Sequence, residues 1–545
     1  MEKAARNAAE IDTRSAFEYA EKYAGQPWGL AVFQRAFENS PQAASKKFSE
    51  ISHLIHIVDT PSAKKLIELY GIGIEHKDAL LLFHCMVHEG MSLQKAEAIA
   101  SDPKKLFSEL IRLRAIPNVL GAYDIENALN NMSLNIVWRI NELHDEQDSV
   151  RFKSVEGYDA KTLYTLMVYG EDELFTSSFN GLFNRLLLSM KKERISGEKL
   201  LVGIGKNRFR IFIKLCASFN RLNEFLKTMQ PNAAHELLRD FAKGIDLSAD
   251  PLSQAVTVAD TFSMITDSGQ LKVLQATIKE EYERVSKENN KNGQKLYGLL
   301  AGMFGERAVI DQDWYSEMQK KYKLKDVRKI ESAELFNEDG SNVQQHFFYN
   351  DPSGEDSFNH FLKQYKGASG WRIEDRTRYV AVSGERAGRR VLIYANKPEF
   401  EEDGPQEIEK ELERKHVKTI VIVHRGHSYH AQKTIERITP RARIVFLGGC
   451  GGYNNISAVL SRSPSAHIIS TKGRGNMFVN DPLLRQLSGE ILEGRNIQWH
   501  EFWKRAGANP QLARVPDFKN YVAPHRNLGV MFLKAYHGET NSPDK

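Results

Sequence analysis

Residues 418–430 read KTIVIVHRGHSYH, and residues 441–452 read RARIVFLGGCGG. Each stretch contains a short run of β-branched and other apolar residues that ends abruptly in polar or glycine positions. Continuous apolar runs of this length are typical of strands buried on both faces of a parallel sheet. A third run, Ala466–Ser470, follows a predicted helix at Ile456–Ser461. The alternation of strands and helices predicts a parallel sheet with right-handed crossover connections.

Strand-like segments begin only after the turn-forming segment Asn337–Ser341, which we interpret as a domain boundary. His346–Tyr349 is aromatic and is predicted to be extended. Arg378–Ser383 and Arg389–Asn396 flank a glycine-containing turn and predict a hairpin.

Upstream of this boundary, from about Ala16 to Lys325, apolar residues recur at helical spacing. The predicted fold is therefore an all-helical N-terminal domain over residues 1–335, either a bundle or a degenerate helical repeat, followed by an α/β domain over residues 341–538 with a mostly parallel sheet.

The charge balance of the chain does not indicate any class of binding partner. The chain has 545 residues, with 75 Lys and Arg against 70 Asp and Glu, so its formal net charge is +5. A charge this small on a large surface does not indicate a nucleic-acid partner. No run approaches the roughly 20 apolar residues of a membrane span, and residues 1–25 are polar, so we expect a cytoplasmic protein without membrane contact.

The chain has three cysteines, Cys85, Cys216 and Cys450, and no CxxC pair. This count excludes a disulfide framework and a thiolate zinc ribbon. Cys85 and Cys216 lie in apolar helical segments, where cysteine is usually a core residue. Cys450 stands among glycines at the end of a predicted strand and is the candidate for chemistry.

Polar side chains follow the first two buried strands. His424 and His427 follow Lys418–Val423, and Cys450 follows Ile444–Leu447. The carboxyl ends of adjacent parallel strands meet at one edge of a sheet, about 4.8 Å apart, so we expect these side chains to lie close together. A thiol needs a nearby base to reach its nucleophilic form. The spacing therefore predicts a His-Cys dyad.

Glycines surround both candidate residues. Gly426 lies in the first loop, and Gly449 and Gly451 lie in the second. Glycine lets the backbone approach a substrate carbonyl closely. We expect the backbone N–H groups of Ser428 and Cys450 to form an oxyanion hole.

A hydrophobic strand ending in Gly-His, followed by one ending in Gly-Cys, resembles the caspase, gingipain and separase group of cysteine peptidases, known as clan CD. The resemblance covers about residues 341–537, and Phe347–Asp351 resembles the first strand of that group. His427 matches the family histidine and Cys450 the family nucleophile. Their separation of 23 positions (450 − 427 = 23) is nearest to the separase-like and CHAT branch.

The resemblance implies a caspase-like cysteine endopeptidase with His427 handling the proton and Cys450 as nucleophile, regulated by the helical domain. Gly426 precedes His427 as in the family pattern, whereas His424 abuts the strand and is interpreted as a support for the loop. Which of the two histidines is catalytic stays open at this level. Ser428 stands where the family usually has glycine.

The resemblance also implies acidic residues around the substrate side chain. Asp351 resembles a carboxylate at the end of the first strand, and Asp481 follows the third strand. Carboxylates in these positions favour cleavage after Arg or Lys. Asp351 also precedes Pro352, a pattern typical of a turn.

The alternative is a catalytically inactive caspase-like or Rossmann-like domain that binds a nucleotide or a protein. Gly448–Gly452 looks like a phosphate loop but lacks the GKS/T ending and the full GxGxxG spacing. His424, His427 and His430 also suit a metal, but no cysteine or carboxylate follows at a familiar zinc spacing. We therefore predict no metal and no cofactor. The expected partners are a protein or peptide substrate and a regulatory protein bound through the helical domain.

Overall fold

The computed structural model describes residues 28–305, 310–322 and 328–540, together with residues 17, 22, 25 and 26. Most of the polar segment 1–25, on which one sequence prediction rests, lies outside the described residues. The chain divides into two compact units, Met1–Leu174 with Ser178–Phe212 and Phe175–Ser177 with Ile213–Lys545. The units thus divide earlier in the chain than the composition change near residue 340.

The first unit is helical. The α-helices up to residue 218, of which α11 and α13 cross the division, are α1 (Gly29–Asn39), α2 (Pro41–Lys46), α3 (Phe48–Ile55), α4 (Pro61–Gly71), α5 (Phe83–His88), α6 (Leu93–Ala100), α7 (Pro103–Arg114), α8 (Ala122–Glu142), α9 (Asp148–Arg151), α10 (Ala160–Tyr169), α11 (Thr176–Glu193), α12 (Gly197–Gly203) and α13 (Phe209–Ser218).

Helix α7 shows how local sequence sets these elements. The side chain of Asp102 accepts hydrogen bonds from the backbone N–H groups of Lys104 and Lys105, and Pro103 occupies the first turn. Both features favour a helix start at this point. Leu106, Phe107, Leu110 and Leu113 then form the buried stripe of the helix. The cap and the apolar face of α7 thus both follow from its local sequence.

The second unit contains both helices and strands. Its further helices are α14 (Leu222–Leu226), α15 (Pro231–Ala242), α16 (Pro251–Met264), α17 (Ser268–Lys287), α18 (Lys291–Phe304), α19 (Gln312–Lys321), α20 (Pro352–Lys363), α21 (Asp403–Arg414), α22 (Ala431–Glu436), α23 (Ile456–Arg462), α24 (Met477–Leu492), α25 (Trp499–Ala508), α26 (Pro510–Ala513) and α27 (Leu528–Thr540). None of the helices in the described part of the chain is both long and apolar enough to cross a membrane.

The strands of the second unit form one large sheet and one two-stranded sheet. They are β1 (Lys329–Ile330), β2 (Ser341–Phe348), β3 (Trp371–Asp375), β4 (Tyr379–Arg386), β5 (Arg389–Asn396), β6 (Thr419–Arg425), β7 (Ile444–Leu447), β8 (His467–Thr471), β9 (Ile497–Gln498) and β10 (Tyr521–Val522). The large sheet has the order β10-β8-β7-β6-β2-β5-β4-β3, and β1 pairs with β9.

The centre of the large sheet is parallel. Strands β5, β2, β6, β7 and β8 pair in parallel, whereas β10, β4 and β3 join antiparallel. Val423 on β6 lies opposite Phe446 on β7, which lies opposite Ile469 on β8. The predicted fold class, a helical segment followed by an α/β segment with a mostly parallel sheet, is confirmed at this level.

Apolar clusters cover both faces of the sheet, so its central strands are buried. One cluster joins Val423 and Phe446 to Leu484 of helix α24, and the other joins Ile422 and Val445 to Val459 of helix α23. All seven residues of β6 are buried, as its apolar run predicts. The carboxyl ends of these strands are therefore held by a packed core.

Candidate active site

The two loops that carry the predicted dyad follow directly paired strands. Strands β6 and β7 are parallel neighbours, with His424 opposite Leu447. His427 lies two residues past the end of β6, and Cys450 three residues past the end of β7. The topology therefore places both residues at the same edge of the sheet.

The backbones of these two loops touch. A Cβ atom added at Gly449 would lie 2.6 Å from the carbonyl oxygen of Gly426 and 3.1 Å from His424 Nε2. A side chain at position 449 would force the loops apart, so glycine is required by close approach rather than by backbone angles. The residues that precede His427 and Cys450 are thus in contact.

Cys450 lies partly exposed between two loops. Its Sγ atom accepts a hydrogen bond from the backbone N–H of Gly475 at 3.4 Å. Gly475 belongs to the loop after β8, where an added Cβ atom would clash with the carbonyl oxygen of Gly448. Burial raises the pKa of the Cys450 thiol, against smaller effects of the Gly475 N–H and Arg474 that lower it. The resting residue is therefore a thiol that needs a base.

His427 presents a partly exposed ring at this edge. Its side chain is 36% exposed, and its Nε2 atom lies 3.7 Å from Oδ1 of Asp351. Its ring stacks on Tyr429 with centroids 5.2 Å apart. A partly exposed imidazole close to a carboxylate is chemically suited to act as a general base.

His424 has a different role because it is buried and both of its ring nitrogens are engaged. Nε2 donates to the carbonyl oxygen of His427 at 3.1 Å, so Nδ1 accepts from the Thr434 hydroxyl at 2.8 Å. The Tyr349 hydroxyl in turn donates to Thr434 at 2.6 Å. Burial lowers the pKa of His424 to about 4, which keeps the ring neutral. This chain of hydrogen bonds fixes the backbone of the His427 loop.

Asp351 lies against two histidines. Oδ1 accepts a hydrogen bond from the Gly354 N–H at 2.8 Å and so caps helix α20, while Oδ2 lies 3.4 Å from Nε2 of His430. The His430 ring stacks on Tyr349, with centroids 4.2 Å apart. Asp351 therefore caps a helix, as its position before Pro352 suggests, and its role towards a basic substrate side chain stays a prediction.

Asp481 lies in helix α24 rather than in a loop, and its side chain is 1% exposed. Its carboxylate contacts the guanidinium of Arg425 and Nδ1 of His360. The charge of Asp481 is therefore compensated inside the protein. This pairing argues against the sequence prediction that Asp481 meets a basic substrate side chain.

Arg425, the last residue of β6, was not singled out by the sequence. Its side chain is fully buried with its guanidinium 5.4 Å from the Phe348 ring, and among the described residues its Nε and Nη2 atoms have no hydrogen-bond partner. The sequence offered one signal for Arg425: a charged residue directly follows His424 at the end of an otherwise apolar strand.

A second buried polar cluster lies behind the Cys450 loop. The hydroxyl of Tyr453 and the backbone N–H of Gly529 both donate to Asp260 of helix α16, the latter at 2.8 Å. The ammonium of Lys472 lies 4.0 Å from the Tyr453 ring centroid, and burial lowers the pKa of Lys472 to about 8. Helix α16 therefore contacts the segment that follows Cys450.

Asp517 is a further carboxylate near the candidate nucleophile. It accepts a hydrogen bond from the side-chain amide of Asn476 at 2.8 Å, and its charge contributes to the raised pKa of Cys450 after burial. Sequence reasoning missed it because it lies in the segment before β10, a short antiparallel edge strand.

Within the described part of the chain, the group of three potential metal-ligating side chains that lie close together is Cys85, Glu89 and Glu109. The guanidinium of Arg112 already contacts all three, at 3.3 Å from Cys85 Sγ and 2.7 Å from each carboxylate. The arginine supplies the positive charge that this group requires. Cys85 and Cys216 are fully buried, as predicted.

Comparison of the chain with protein-family models, with curated proteins and with solved structures finds no match in any of the three. Its function is therefore argued from the geometry of its own residues.

Proposed function

We propose that this protein is a cysteine endopeptidase in which Cys450 is the nucleophile and His427 the general base. One observation carries the proposal: both residues follow the ends of directly paired parallel strands, and their loops touch at Gly426 and Gly449. The order of strand, Gly-His, strand and Gly-Cys resembles the separase-like and CHAT branch of the caspase, gingipain and separase group, which supports the same assignment.

In the first step, His427 removes the proton from Cys450 Sγ, and the sulfur attacks the carbonyl carbon of the substrate peptide bond. Backbone N–H groups of Cys450 and Ser428 donate hydrogen bonds to the carbonyl oxygen and stabilise the negative charge that develops on it. The tetrahedral intermediate expels the amine, which takes its proton from His427. Water, deprotonated by His427, then hydrolyses the thioester and restores the thiol.

The carboxylate of Asp351 is placed to support His427 during catalysis. Its Oδ1 lies 3.7 Å from His427 Nε2, so a negative charge faces the ring that becomes imidazolium during the first step. A carboxylate in this place stabilises the charged ring and orients it. Asp351 is accordingly proposed as a positioning residue.

We infer a preference for Arg or Lys before the cleaved bond from Asp517. This carboxylate accepts a hydrogen bond from Asn476, the neighbour of Gly475, whose N–H donates to Cys450 Sγ. Asp481 is instead already paired to Arg425. A carboxylate near the nucleophile attracts a basic substrate side chain.

Regulation through the helical part is supported by Asp260. Helix α16 contributes this carboxylate to Tyr453, three residues after Cys450. A protein partner that moves α16 would also move the nucleophile loop. Regulated proteolysis of a protein or peptide substrate is therefore the proposed setting.

The test is cleavage of fluorogenic peptides ending in Arg, Lys, Asp or Leu, together with labelling by an Arg-based cysteine-reactive probe. Cys450→Ala is expected to lose both cleavage and labelling. Cys216→Ala is the matched control, since its fully buried thiol lies in helix α13 and is expected to leave both unchanged. Cleavage that survives in Cys450→Ala would refute the proposal. A folded wild-type protein with neither cleavage nor Cys450 labelling would favour a nucleotide- or protein-binding module.

A further inference from the structure

The first unit contains a cavity of about 630 Å³ that opens onto its surface, where Ala115, Pro117 and Asn118 of the lining are exposed. Its volume lies in the range of about 300–1,000 Å³ that is typical of small-molecule sites. Arg35, Arg114 and Arg208 line it together with the apolar side chains of Ile116 and Ile204. The cavity thus combines a cationic part with an apolar wall.

A single carboxylate orients two of these arginines. Oε2 of Glu126 accepts a hydrogen bond from Arg114 Nε at 2.6 Å, and Oε1 accepts from Arg208 Nη2 at 2.8 Å. The Tyr169 hydroxyl also donates to Glu126 at 2.8 Å, and the Arg208 guanidinium stacks over the Tyr169 ring at 4.0 Å. These contacts hold both guanidinium groups in fixed directions.

Arg114 combines its contact with Glu126 with partial exposure. It donates to Glu126 through Nε, and its side chain is 38% exposed, so the guanidinium can also meet a ligand in the cavity. A guanidinium fork binds phosphate or carboxylate oxygens with two parallel hydrogen bonds.

The charge around the cavity favours an anion. Three arginines line it, against Glu38 in the lining and Glu126 behind it. Glu38 Oε1 already accepts hydrogen bonds from Gln34 at 3.0 Å and Ser62 at 2.5 Å. Arg114 and Arg208 share the single carboxylate of Glu126, so this group of three side chains has an excess of one positive charge.

We infer that this cavity binds a phosphorylated small molecule of about nucleotide size. The phosphate lies at the guanidinium of Arg114, in the field of Arg208. The uncharged body of the ligand lies against Ile116 and Ile204. The site belongs wholly to the first unit and is independent of the proposed peptidase activity.

The experiment measures binding to the full chain by calorimetry with adenosine monophosphate, ribose 5-phosphate, inorganic phosphate and adenosine as separate probes. Adenosine monophosphate is expected to bind with a Kd below about 1 mM. Ribose 5-phosphate and inorganic phosphate are expected to bind progressively more weakly, because they lack contacts to the apolar wall. Adenosine is expected not to bind.

Two variants and a control locate the site. Arg114→Lys keeps a cation for Glu126 but removes the fork, and it is expected to weaken binding of adenosine monophosphate about tenfold. Ala122→Phe narrows the cavity without touching an ion pair and is expected to weaken binding of adenosine monophosphate similarly. Arg185→Gln removes an arginine of the same unit that pairs with Asp148 outside the cavity, and it is expected to change nothing.

Three results would overturn the inference. One is the absence of binding by all phosphorylated probes. Another is binding that is unchanged in both Arg114→Lys and Ala122→Phe. The third is that inorganic phosphate binds as tightly as adenosine monophosphate. This result would show that the apolar wall makes no contribution to ligand binding.

Discussion

His424 donates a hydrogen bond from Nε2 to the carbonyl oxygen of His427 at 3.1 Å. The donor ring is buried at the end of β6, and the acceptor opens the loop that carries the proposed base. The hydroxyl of Thr434 completes the arrangement by donating to His424 Nδ1 at 2.8 Å. One histidine therefore fixes the backbone of the other, which gives the two histidines separate roles.

This relationship is tested at Thr434. Thr434→Val keeps the volume of the side chain but removes the hydroxyl that His424 and Tyr349 both use. Unfolding experiments are expected to show a loss of about 1–3 kcal/mol, because buried polar groups are left without a partner. Peptide assays are expected to show kcat reduced about tenfold with KM unchanged, since a displaced His427 affects the chemical step. Thr434→Ser keeps the hydroxyl and serves as the control, so an equal loss of kcat in both variants would contradict a positioning role.

The buried pair of Arg425 and Asp481 is expected to matter for stability. Both side chains are at most 1% exposed, so Asp481→Asn leaves a buried guanidinium without its counter-charge. The free energy of unfolding is expected to fall by about 3–5 kcal/mol, measured by urea denaturation.

A surface pair provides the comparison. Arg390 and Asp339 lie 2.9 Å apart, and each side chain is 43% exposed. Asp339→Asn is expected to cost less than about 1 kcal/mol, because solvent screens exposed ion pairs. Similar losses for Asp339→Asn and Asp481→Asn would show that burial does not set the strength of the Arg425 pair.

The strands were predictable because their signal is local. Ile444–Leu447 forms β7 with the bounds that its apolar run predicts, and the hairpin of β4 and β5 follows its glycine turn. The polar segment Ser286–Gln294, in contrast, has the composition of a loop but is mostly helical. Helix α17 continues to Lys287, and α18 begins at Lys291.

The start of β2 was not predicted because its residues are polar. Their buried side chains form hydrogen bonds with one another and with backbone groups. Asn342 donates to the carbonyl oxygen of Leu335 at 2.6 Å, and Gln344 donates to Asn342 at 3.0 Å. Alternating buried amides do not resemble an apolar strand in sequence. Asp481 was misjudged for a related reason, since its partner Arg425 lies 56 positions away and no local pattern links them.

The pH dependence of stability follows from the buried histidines. Burial lowers the pKa of His424 from its usual 6.5 to about 4, so folding favours the neutral ring. The stabilisation is fully present above the unfolded pKa and is lost as the pH falls from 6.5 towards 4. The total loss over this range is about 3 kcal/mol. Denaturation between pH 7 and pH 4 is expected to show a shallower decline in His424→Phe than in the wild type.

His525 gives a matched control for this pH dependence. Burial also lowers its pKa to about 4, but it lies in the segment before helix α27, and its charged neighbours are Arg526 and His500 rather than residues of the His427 loop. His525→Phe is therefore expected to reduce the same slope while leaving peptide cleavage intact, whereas His424→Phe reduces both. An unchanged slope in both variants would mean that other groups govern the acid response.

The last expectation concerns the link between helix α16 and the nucleophile loop. Tyr453→Phe removes the hydroxyl that donates to Asp260 and leaves that buried carboxylate with the Gly529 N–H at 2.8 Å. Burial already raises the pKa of Asp260, so loss of a donor makes the charged form still less favourable. We expect a loss of about 1–3 kcal/mol in unfolding free energy and slower labelling of Cys450 by the cysteine-reactive probe.

The control for this variant is Tyr536→Phe, which removes a hydroxyl that bonds Asn292 at 3.4 Å in an exposed position. It is expected to change neither stability nor labelling, because an exposed hydroxyl exchanges its partner for water. The comparison distinguishes a structural role of the Asp260 contact from a regulatory one. Reduced stability with unchanged labelling in Tyr453→Phe would make Asp260 a purely structural residue and would remove the contact through which α16 is proposed to regulate Cys450.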